Sequence, residues 1–236
     1  TVSDFLNNKT LNTVEFYAQN EYKPEQIKKL REAHYSQVPI MEVKAVSKIY
    51  TNIDLFGKRT EVKALNKVSL ELFKGESLGI VGESGCGKST LSKCLVQLEK
   101  HNEGSILYKS KNIKQLLSSA PLSYRKKVQM IFQDPASALN PKMRVGAILI
   151  EVMKVHHIGN NRTDRIEKAI ELLEKVGLKA EHYKRYPHEF SGGQKQRIGI
   201  ARALALKPEI IICDESVSAL DVSVQAQVLN LLKELK

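Results

Sequence analysis

A glycine-rich segment that ends in Lys and Ser is the part of the sequence whose residue types and spacing most directly indicate chemistry. Residues 82–89 read G-E-S-G-C-G-K-S and fit the pattern G-x-x-x-x-G-K-S. The glycines allow backbone N–H groups to curl around phosphate oxygens, because residues without a Cβ leave the approach open. We expect the ammonium of Lys88 on the β- and γ-phosphates of a nucleotide and the hydroxyl of Ser89 on Mg²⁺. The alternative interpretation is a glycine-rich turn that only precedes a helix.

The flanking residues supply the elements that such a loop needs. The apolar run Ser77–Val81 predicts a strand that leads into the loop, and Ser89–Leu98 is compatible with a helix that leaves it. A phosphate loop requires this order of strand, loop and helix N-terminus. The sequence context therefore favours a phosphate-binding loop over a simple turn.

A second signal is an apolar strand that ends in two carboxylates. Ile210–Cys213 is fully apolar, and Asp214 and Glu215 follow it. In a phosphate-loop enzyme, Asp214 would hold Mg²⁺ directly or through water. Glu215 would polarise a water molecule for in-line attack on the γ-phosphate. Acids at the end of a strand also often cap the next helix, so the pair gains its meaning from the phosphate loop.

The third signal is Ser191-Gly192-Gly193-Gln194, which opens an amphipathic helix. A helix N-terminus can bind an anion through its free N–H groups, and Ser191 adds a hydroxyl donor. Taken locally, the same residues describe an ordinary N-cap. Their position between the phosphate loop and the acidic strand favours the anion site.

Composition limits the class of protein. The 236 residues suffice for one large α/β domain or for a core with a subdomain. No apolar run approaches about 18 residues, so we expect no membrane span within this chain. The net charge of +11 permits binding to a polyanion, but no cluster alternates basic with aromatic residues, and we favour a solvated lysine-rich surface. Three cysteines without metal-ligand spacing favour a reduced, cytosolic compartment.

The ordered set of motifs resembles the nucleotide-binding domain of ABC ATPases, over about residues 41–236. In that resemblance residues 82–89 are Walker A, Gln133 the Q-loop, residues 191–194 the signature, residues 210–215 Walker B and Asp221 the D-loop. The flanking segments are similar to the ATP-binding subunits of oligopeptide and dipeptide permeases, and the F-type subunit is the nearer match. Nickel and glutathione importers share much of this pattern.

The resemblance implies a fold class and a domain organisation. It implies an α/β fold: a P-loop NTPase (RecA-like) core with an antiparallel β subdomain and an inserted α-helical subdomain at about residues 134–205. Residues 1–40 are then an N-terminal extension, and residues 41–236 the nucleotide-binding domain.

The resemblance also implies three sets of site residues. The catalytic set is Glu215, Gln133 and Lys88. The magnesium set is Ser89, Gln133 and Asp214. The ATP-binding set joins both glycine-rich motifs, an aromatic residue that stacks on adenine and the D-loop acid: Tyr50, Gly82, Glu83, Ser84, Gly85, Cys86, Gly87, Lys88, Ser89, Thr90, Ser191, Gly192, Gly193, Gln194 and Asp221. For Tyr50, an ordinary tyrosine at a strand end is the alternative.

Partners follow from the same resemblance. Such domains pair head to tail, with ATP and Mg²⁺ between them, so a second ABC ATPase subunit is expected, identical or not. The helical subdomain would dock on integral membrane permease subunits, which places the protein at the cytoplasmic face of the membrane as a peripheral subunit. An extracellular solute-binding protein would be an indirect partner, and nucleic acid is not expected as one.

Three departures from the family pattern stand out. Phe190 replaces the commoner Leu before the signature, and Ser216 follows Glu215 where Pro is usual, which removes a φ restraint beyond the catalytic acid. The family's switch histidine follows Walker B, whereas all histidines of this chain precede it: His34, His101, His156, His157, His182 and His188. We therefore expect that the sequence lacks the C-terminal end of the domain and that it binds nucleotide with impaired turnover.

Two other function classes remain open from the sequence. A soluble ABC ATPase that acts on nucleic acid is compatible with the positive charge, but such proteins usually carry two cassettes or large insertions. A phosphate-loop kinase would need a phosphoryl-acceptor site and would give the Ser-Gly-Gly-Gln helix no purpose. The similarity of the flanking segments to peptide permease subunits favours the transport ATPase.

Overall fold

The structure is a computed structural model that describes residues 35–53, 57, 59–134 and 137–214. The chain divides into two compact units, Thr1–Ser119 and Ala120–Lys236, and each is described by itself. The predicted boundaries at residue 40 and around residues 134–205 stay predictions.

The first unit contains an antiparallel sheet with the strand order β2-β1-β3-β4. Its strands are β1 (Met41–Ile53), β2 (Arg59–Leu72), β3 (Glu103–Tyr108) and β4 (Lys111–Asn112). Its helices are α1 (Lys88–Leu95) and α2 (Ile113–Ser119). Along β1, the side chains of Met41 and Val43 are buried and that of Lys44 is exposed, so one face of the sheet carries the core.

A bulge interrupts the pairing of β1 with β2 near the phosphate loop. Lys48 lies opposite Leu65, whereas the next residue, Ile49, lies opposite Lys63, so Ala64 is an extra residue in β2. A bulge of this kind re-aims the backbone of the longer strand. Here it determines where the carbonyl group of Ala64 points.

The predicted strand Ser77–Val81 is wrong, since the structure assigns these residues to no strand. Leu78 is 40% exposed and Val81 is 58% exposed. A strand exists only where a neighbour supplies a hydrogen-bonded ladder, and no strand among the described residues pairs with residues 77–81. The apolar run marks the segment as strand-compatible, but it does not supply the partner.

The second unit combines a two-stranded parallel sheet with four helices in the described residues. The strands are β5 (Val128–Ile131) and β6 (Ile210–Cys213). The helices are α3 (Pro121–Lys127), α4 (Val145–Val155), α5 (Arg162–Lys175) and α6 (Gly192–Leu204), with 3₁₀ turns at Ala180–Lys184 and Pro187–Glu189.

The core of the second unit lies between its three longer helices. Leu149 of α4, Leu173 of α5 and Ile198 of α6 have no exposed side-chain surface. The three helices thus pack together, and α6 rests on a packed support. Among the described residues, no helix combines the length and the apolar character that a bilayer crossing demands.

Candidate functional site

The helix that follows the phosphate loop begins without any side-chain cap. Its N-cap residue, Gly87, has φ 104°, and no acidic residue occupies the first turn. The first helical hydrogen bond runs from the amide of Leu91 to the carbonyl of Gly87, at 2.9 Å. The four preceding amides have no acceptor inside the helix, and the helix dipole makes this end positive. The start of α1 is therefore suited to an anion.

Lys88 closes the loop from within. Its ammonium donates to the carbonyl oxygens of Gly82 at 2.7 Å and Glu83 at 2.8 Å, and lies 3.7 Å from Sγ of Cys86. The amide of Cys86 donates to the carbonyl of Glu83 at 3.3 Å, which adds a turn within the loop. The cation is thus held across the loop, beside the uncapped amides of α1.

Gly87 is required by its backbone angle and by its surroundings. A Cβ at this position would lie 2.3 Å from the carbonyl oxygen of Ala64 and 3.1 Å from Cδ2 of Leu65. The positive φ would strain any other residue as well. The bulge of β2 and the N-cap of α1 therefore fit against each other only because residue 87 is glycine.

Tyr50 lies in β1 near this contact. It pairs with Val62, which is two residues along β2, roughly 7 Å, from Ala64. The tyrosine is 37% exposed, and the ammonium of Lys48 lies 4.7 Å from the centroid of its ring. The structure thus places an accessible aromatic ring near the side of the sheet that contacts the phosphate loop.

Gln133 and Asp214 lie at one edge of the parallel sheet. Ile131 pairs with Cys213, and the amide of Asp214 donates to the carbonyl of Ile131 at 3.1 Å, so the ladder extends to the acid. Asp214 is 7% exposed, while Gln133, two residues beyond β5, is exposed. The carboxyl ends of adjacent parallel strands bring these two predicted magnesium ligands to the same edge.

The signature residues form the capped start of α6. The hydroxyl oxygen of Ser191 accepts from the amide of Gln194 at 3.3 Å, and the side-chain oxygen of Gln194 accepts from the amide of Ser191 at 3.1 Å. The first helical bond runs from Lys195 to Ser191 at 2.9 Å. This capping box satisfies two of the four terminal amides and leaves those of Gly192 and Gly193 without a partner inside the helix.

The residue before the signature anchors this turn. Phe190 is 5% exposed and packs edge-on against the ring of His182, with the centroids 5.2 Å apart. The larger side chain at this position, noted as a departure from the family pattern, is thus accommodated in the core. The turn that follows stays exposed at Ser191 and Gly192.

Two arginines that the sequence reading did not single out hold α6 in place. Arg197 donates to the carbonyl of Val176 at 3.1 Å, and the guanidinium of Arg202 donates to the carbonyl of Ala138. Burial lowers the pKa of Arg202 from its ordinary value. Lys48, beside Tyr50, was missed in the same way. No local pattern marks these residues, because their partners are distant in sequence.

Glu215 and Asp221 lie outside the described residues, and their predicted roles stay predictions. No group of three or more His, Cys, Asp or Glu in the described part of the chain could hold a metal ion. The predicted magnesium set is of another kind, with a hydroxyl, an amide and one carboxylate. Such oxygen donors suit Mg²⁺, which needs few protein ligands when phosphate oxygens complete its shell.

The chain is similar to several known proteins. The ABC transporter family model matches residues 65–218. The chain is 52% identical over 179 residues to the oligopeptide transport ATP-binding protein OppF of Bacillus subtilis, covering 75% of this chain and 59% of that protein. It is 47% identical over 199 residues to the dipeptide transport ATP-binding protein DppF of Haemophilus influenzae, covering 84% and 61%. The chain thus spans about three fifths of the length of these relatives.

A solved structure gives the same result for the fold. The dimeric, post-hydrolysis structure of the ATP-binding cassette MJ0796 bound to ADP and Pi superposes with a TM-score of 0.73 at 29% identity, covering 83% of this chain and 82% of that one. Together with the antiparallel sheet of the first unit, this match confirms the predicted fold class of a P-loop NTPase.

Proposed function

Because the chain belongs to the ABC transporter family, we propose that it binds and hydrolyses ATP to energise an importer of oligopeptides or dipeptides. The observation that carries ATP binding is the start of α1, where an uncapped, acid-free helix end lies beside the fixed ammonium of Lys88. The names of the relatives, oligopeptide and dipeptide transport ATP-binding proteins, support the solute class.

Phosphate binding is the task of the first unit. The amides at the start of α1 and the ammonium of Lys88 would hold the phosphate oxygens, and the hydroxyl of Thr90 is close enough in sequence to assist. Tyr50 would stack on the adenine ring. The loop is preorganised for this, because Lys88 already spans it.

Two of the groups proposed for hydrolysis, Gln133 and Asp214, follow the parallel strands of the second unit, and Ser89 belongs to the phosphate loop of the first. Ser89, Gln133 and Asp214 would hold Mg²⁺, which when bound supplies charge neutralisation on the phosphate oxygens. Glu215 would accept a proton from the attacking water at a carboxylate oxygen, and Gln133 would orient that water.

A second cassette completes the site. The hydroxyl of Ser191 and the amides of Gly192 and Gly193 would bind the γ-phosphate of the nucleotide held by a partner ATPase subunit, while Asp221 would align the two sites. An intact triphosphate then favours pairing, and hydrolysis releases it. Membrane permease subunits would anchor the pair at the cytoplasmic face of the membrane. An extracellular solute-binding protein would deliver the peptide to those permease subunits from the opposite side.

Turnover by the 236 residues alone is expected to be slow. All six histidines precede Asp214 in the sequence, so none can act as the family's switch histidine by sequence order. We expect a polypeptide of these residues to bind ATP readily and to hydrolyse it poorly.

The binding proposal is tested by removing one charge. Lys88→Ala should weaken the affinity for ATP by about 100-fold, because an ammonium on phosphate makes charge-assisted hydrogen bonds worth about 1.5–3 kcal/mol each. Lys93→Ala, in the exposed last turn of the same helix, is the matched control and should leave the affinity unchanged. Equal affinities of the two variants, measured by calorimetry, would refute the proposed phosphate site.

The solute class is tested in cells. Disruption of the gene should abolish uptake of labelled dipeptides or oligopeptides but leave uptake of nickel and of glutathione intact. The wild-type gene should restore uptake, and a gene carrying Glu215→Gln should not, because the proton acceptor is lost. Loss of nickel or glutathione uptake instead would overturn the peptide assignment and leave the ATPase assignment standing.

A further inference from the structure

We propose that Lys48 is a positioning residue for the nucleotide base: its ammonium, anchored beyond the end of α1, holds the ring of Tyr50 in place for stacking. This inference rests on the proposed function, because it assumes that a nucleotide base binds at Tyr50. It assigns a role to a side chain that belongs to none of the sequence motifs.

The ammonium of Lys48 is fixed by three neighbours. It donates to the carbonyl oxygen of Lys100 at 2.9 Å, pairs with Oε2 of Glu99 at 3.1 Å, and lies 4.7 Å from the ring centroid of Tyr50. An ammonium has three donors, so these contacts use its full capacity. A cation at this distance from an aromatic face is attracted to it, and the attraction restrains the ring.

Burial makes a purely stabilising role a poor explanation for this lysine. Its side chain is 13% exposed, and the neighbouring Cys94 is fully buried. Charge at a mostly buried position costs desolvation energy, and an apolar residue of similar volume often stabilises a fold as well or better. A charged group kept there is better explained by what it orients, and the group that it faces is Tyr50.

The anchor connects the base to the phosphate-binding helix. Glu99 follows α1, and its amide donates to the carbonyl of Lys93, in the last turn of that helix, at 3.2 Å. The phosphates would bind at the other end of α1, a helix of eight residues that is about 12 Å long. Lys48 thus connects the ring of Tyr50 to the C-terminal end of the same helix whose N-terminal end would hold the phosphates.

The ring remains available to a ligand despite this contact. Tyr50 is 37% exposed, whereas a tyrosine held only for packing would be covered. Loss of the ammonium would leave the ring free to rotate, and the base would bind a less ordered platform. The affinity for ATP should then fall, but the affinity for a base-free phosphate chain should not.

The test compares ATP with inorganic tripolyphosphate as calorimetric ligands of the 236-residue protein. Lys48→Met should lower the affinity for ATP about threefold to tenfold, which is the usual strength of a cation–π contact expressed as affinity. The affinity for tripolyphosphate should stay unchanged. Tyr50→Ala should show the same pattern. The double variant should bind ATP no more weakly than Tyr50→Ala alone, since both changes remove the same stacking interaction.

Three further variants serve as controls. Lys48→Arg should retain ATP affinity, because a guanidinium can occupy the ring face and pair with Glu99. Glu99→Gln should also lower the affinity for ATP, but by less, since it weakens the ion pair that anchors Lys48 and leaves Lys48 itself unchanged. Lys44→Met, on the same strand and 59% exposed, should change neither affinity.

The outcomes separate this inference from the proposed function. Equal weakening of ATP and tripolyphosphate by Lys48→Met would reveal a structural role and overturn the inference alone. Additive effects of Lys48→Met and Tyr50→Ala would overturn it too, because Lys48 would then act independently of the ring. A wild-type protein that binds neither ligand would overturn the proposed function and this inference together.

Discussion

Two helices of this protein begin at glycine-rich turns, and they differ in how the backbone amides of their first turns are capped. At α1, Gly87 takes a left-handed conformation and no side chain caps the turn. At α6, Ser191 and Gln194 cap each other's backbone amides. The first helix end has no side-chain cap, whereas the second caps itself with two side chains.

This difference suits the two tasks that we propose. A site that must bind nucleotide tightly gains from a helix end that no side chain caps and from a fixed cation, and the ammonium of Lys88 adds to the helix dipole. A site that must meet a partner's nucleotide and let it go gains from a turn that is stable when empty. The neutral capping box keeps α6 ordered and still presents the amides of Gly192 and Gly193.

The largest expected effect comes from a Cβ at each turn. Gly87→Ala should lower the free energy of unfolding by about 3 kcal/mol, through the positive φ and the contact with the carbonyl of Ala64. Gly192→Ala should change it by at most about 1 kcal/mol, and in the stabilising direction, since its Cβ would meet nothing within 4 Å. Urea unfolding measures both; similar values for the two variants would break the comparison.

Nucleotide should bind the first-turn amides of α1 and not those of α6 in the same chain. At 100 times its Kd, ATP should stabilise the folded state by about 2.7 kcal/mol. Hydrogen exchange should show slower amides in α1, because the ligand satisfies its first turn. In protein too dilute to pair, α6 should exchange at its original rate. Protection of α6 under those conditions would mean that its turn binds nucleotide within the same chain.

A charge at the capped turn separates stability from pairing. Ser191→Ala should cost about 1 kcal/mol of stability by removal of the N-cap, as urea unfolding would show. Ser191→Asp should keep the cap, because a carboxylate also accepts from the amide of residue 194. It should nevertheless abolish ATP-dependent pairing, measured by sedimentation, because a negative charge would face the γ-phosphate. Normal pairing of Ser191→Asp would exclude α6 from the phosphate contact.

The last comparison concerns a buried histidine in each unit. Burial, followed by the ammonium of Lys114, holds the pKa of His101 below its ordinary value of 6.5, and burial does the same for the pKa of His182. Since the folded state disfavours the proton, stability is full above the ordinary pKa and falls as the pH drops below it. Unfolding followed from pH 8 to pH 5 should show this loss, and His101→Leu should reduce it.

The two histidines should differ when they are removed at pH 8. Neither ring nitrogen of His101 makes a hydrogen bond of normal geometry among the residues described, and only the backbone of Gly104 interacts weakly with the ring, so His101→Leu should cost little there. Nδ1 of His182 accepts from the amide of Lys179 at 3.1 Å, so His182→Leu should cost about 1–2 kcal/mol. Equal losses of unfolding free energy in the two variants would contradict this difference, because they would show that the ring of His101 contributes as much to stability as the hydrogen-bonded ring of His182.

Much of the fold was predictable because its signals are local. Short stretches of sequence are enough to indicate these elements: the alternation of apolar residues in β1 and β2, their helical spacing in α4 to α6, and the apolar run of β6. The strand at Ser77–Val81 failed for the complementary reason, since an apolar run cannot supply its own ladder. The capping box at Ser191 was predicted as an N-cap and as an anion site, and the geometry is compatible with both.

The sequence by itself determined the chemical groups and their local backbone: a glycine-rich loop with Lys88, a capped turn at Ser191, and an acid at the end of β6. These follow from backbone sterics and hydrogen bonding over a few residues. Only the tertiary structure decided what each group faces, such as Gly87 against Ala64, Lys48 against the carbonyl of Lys100, and Asp214 beside Ile131. Those contacts join segments far apart in the chain, and packing and strand register, not local preference, bring them together.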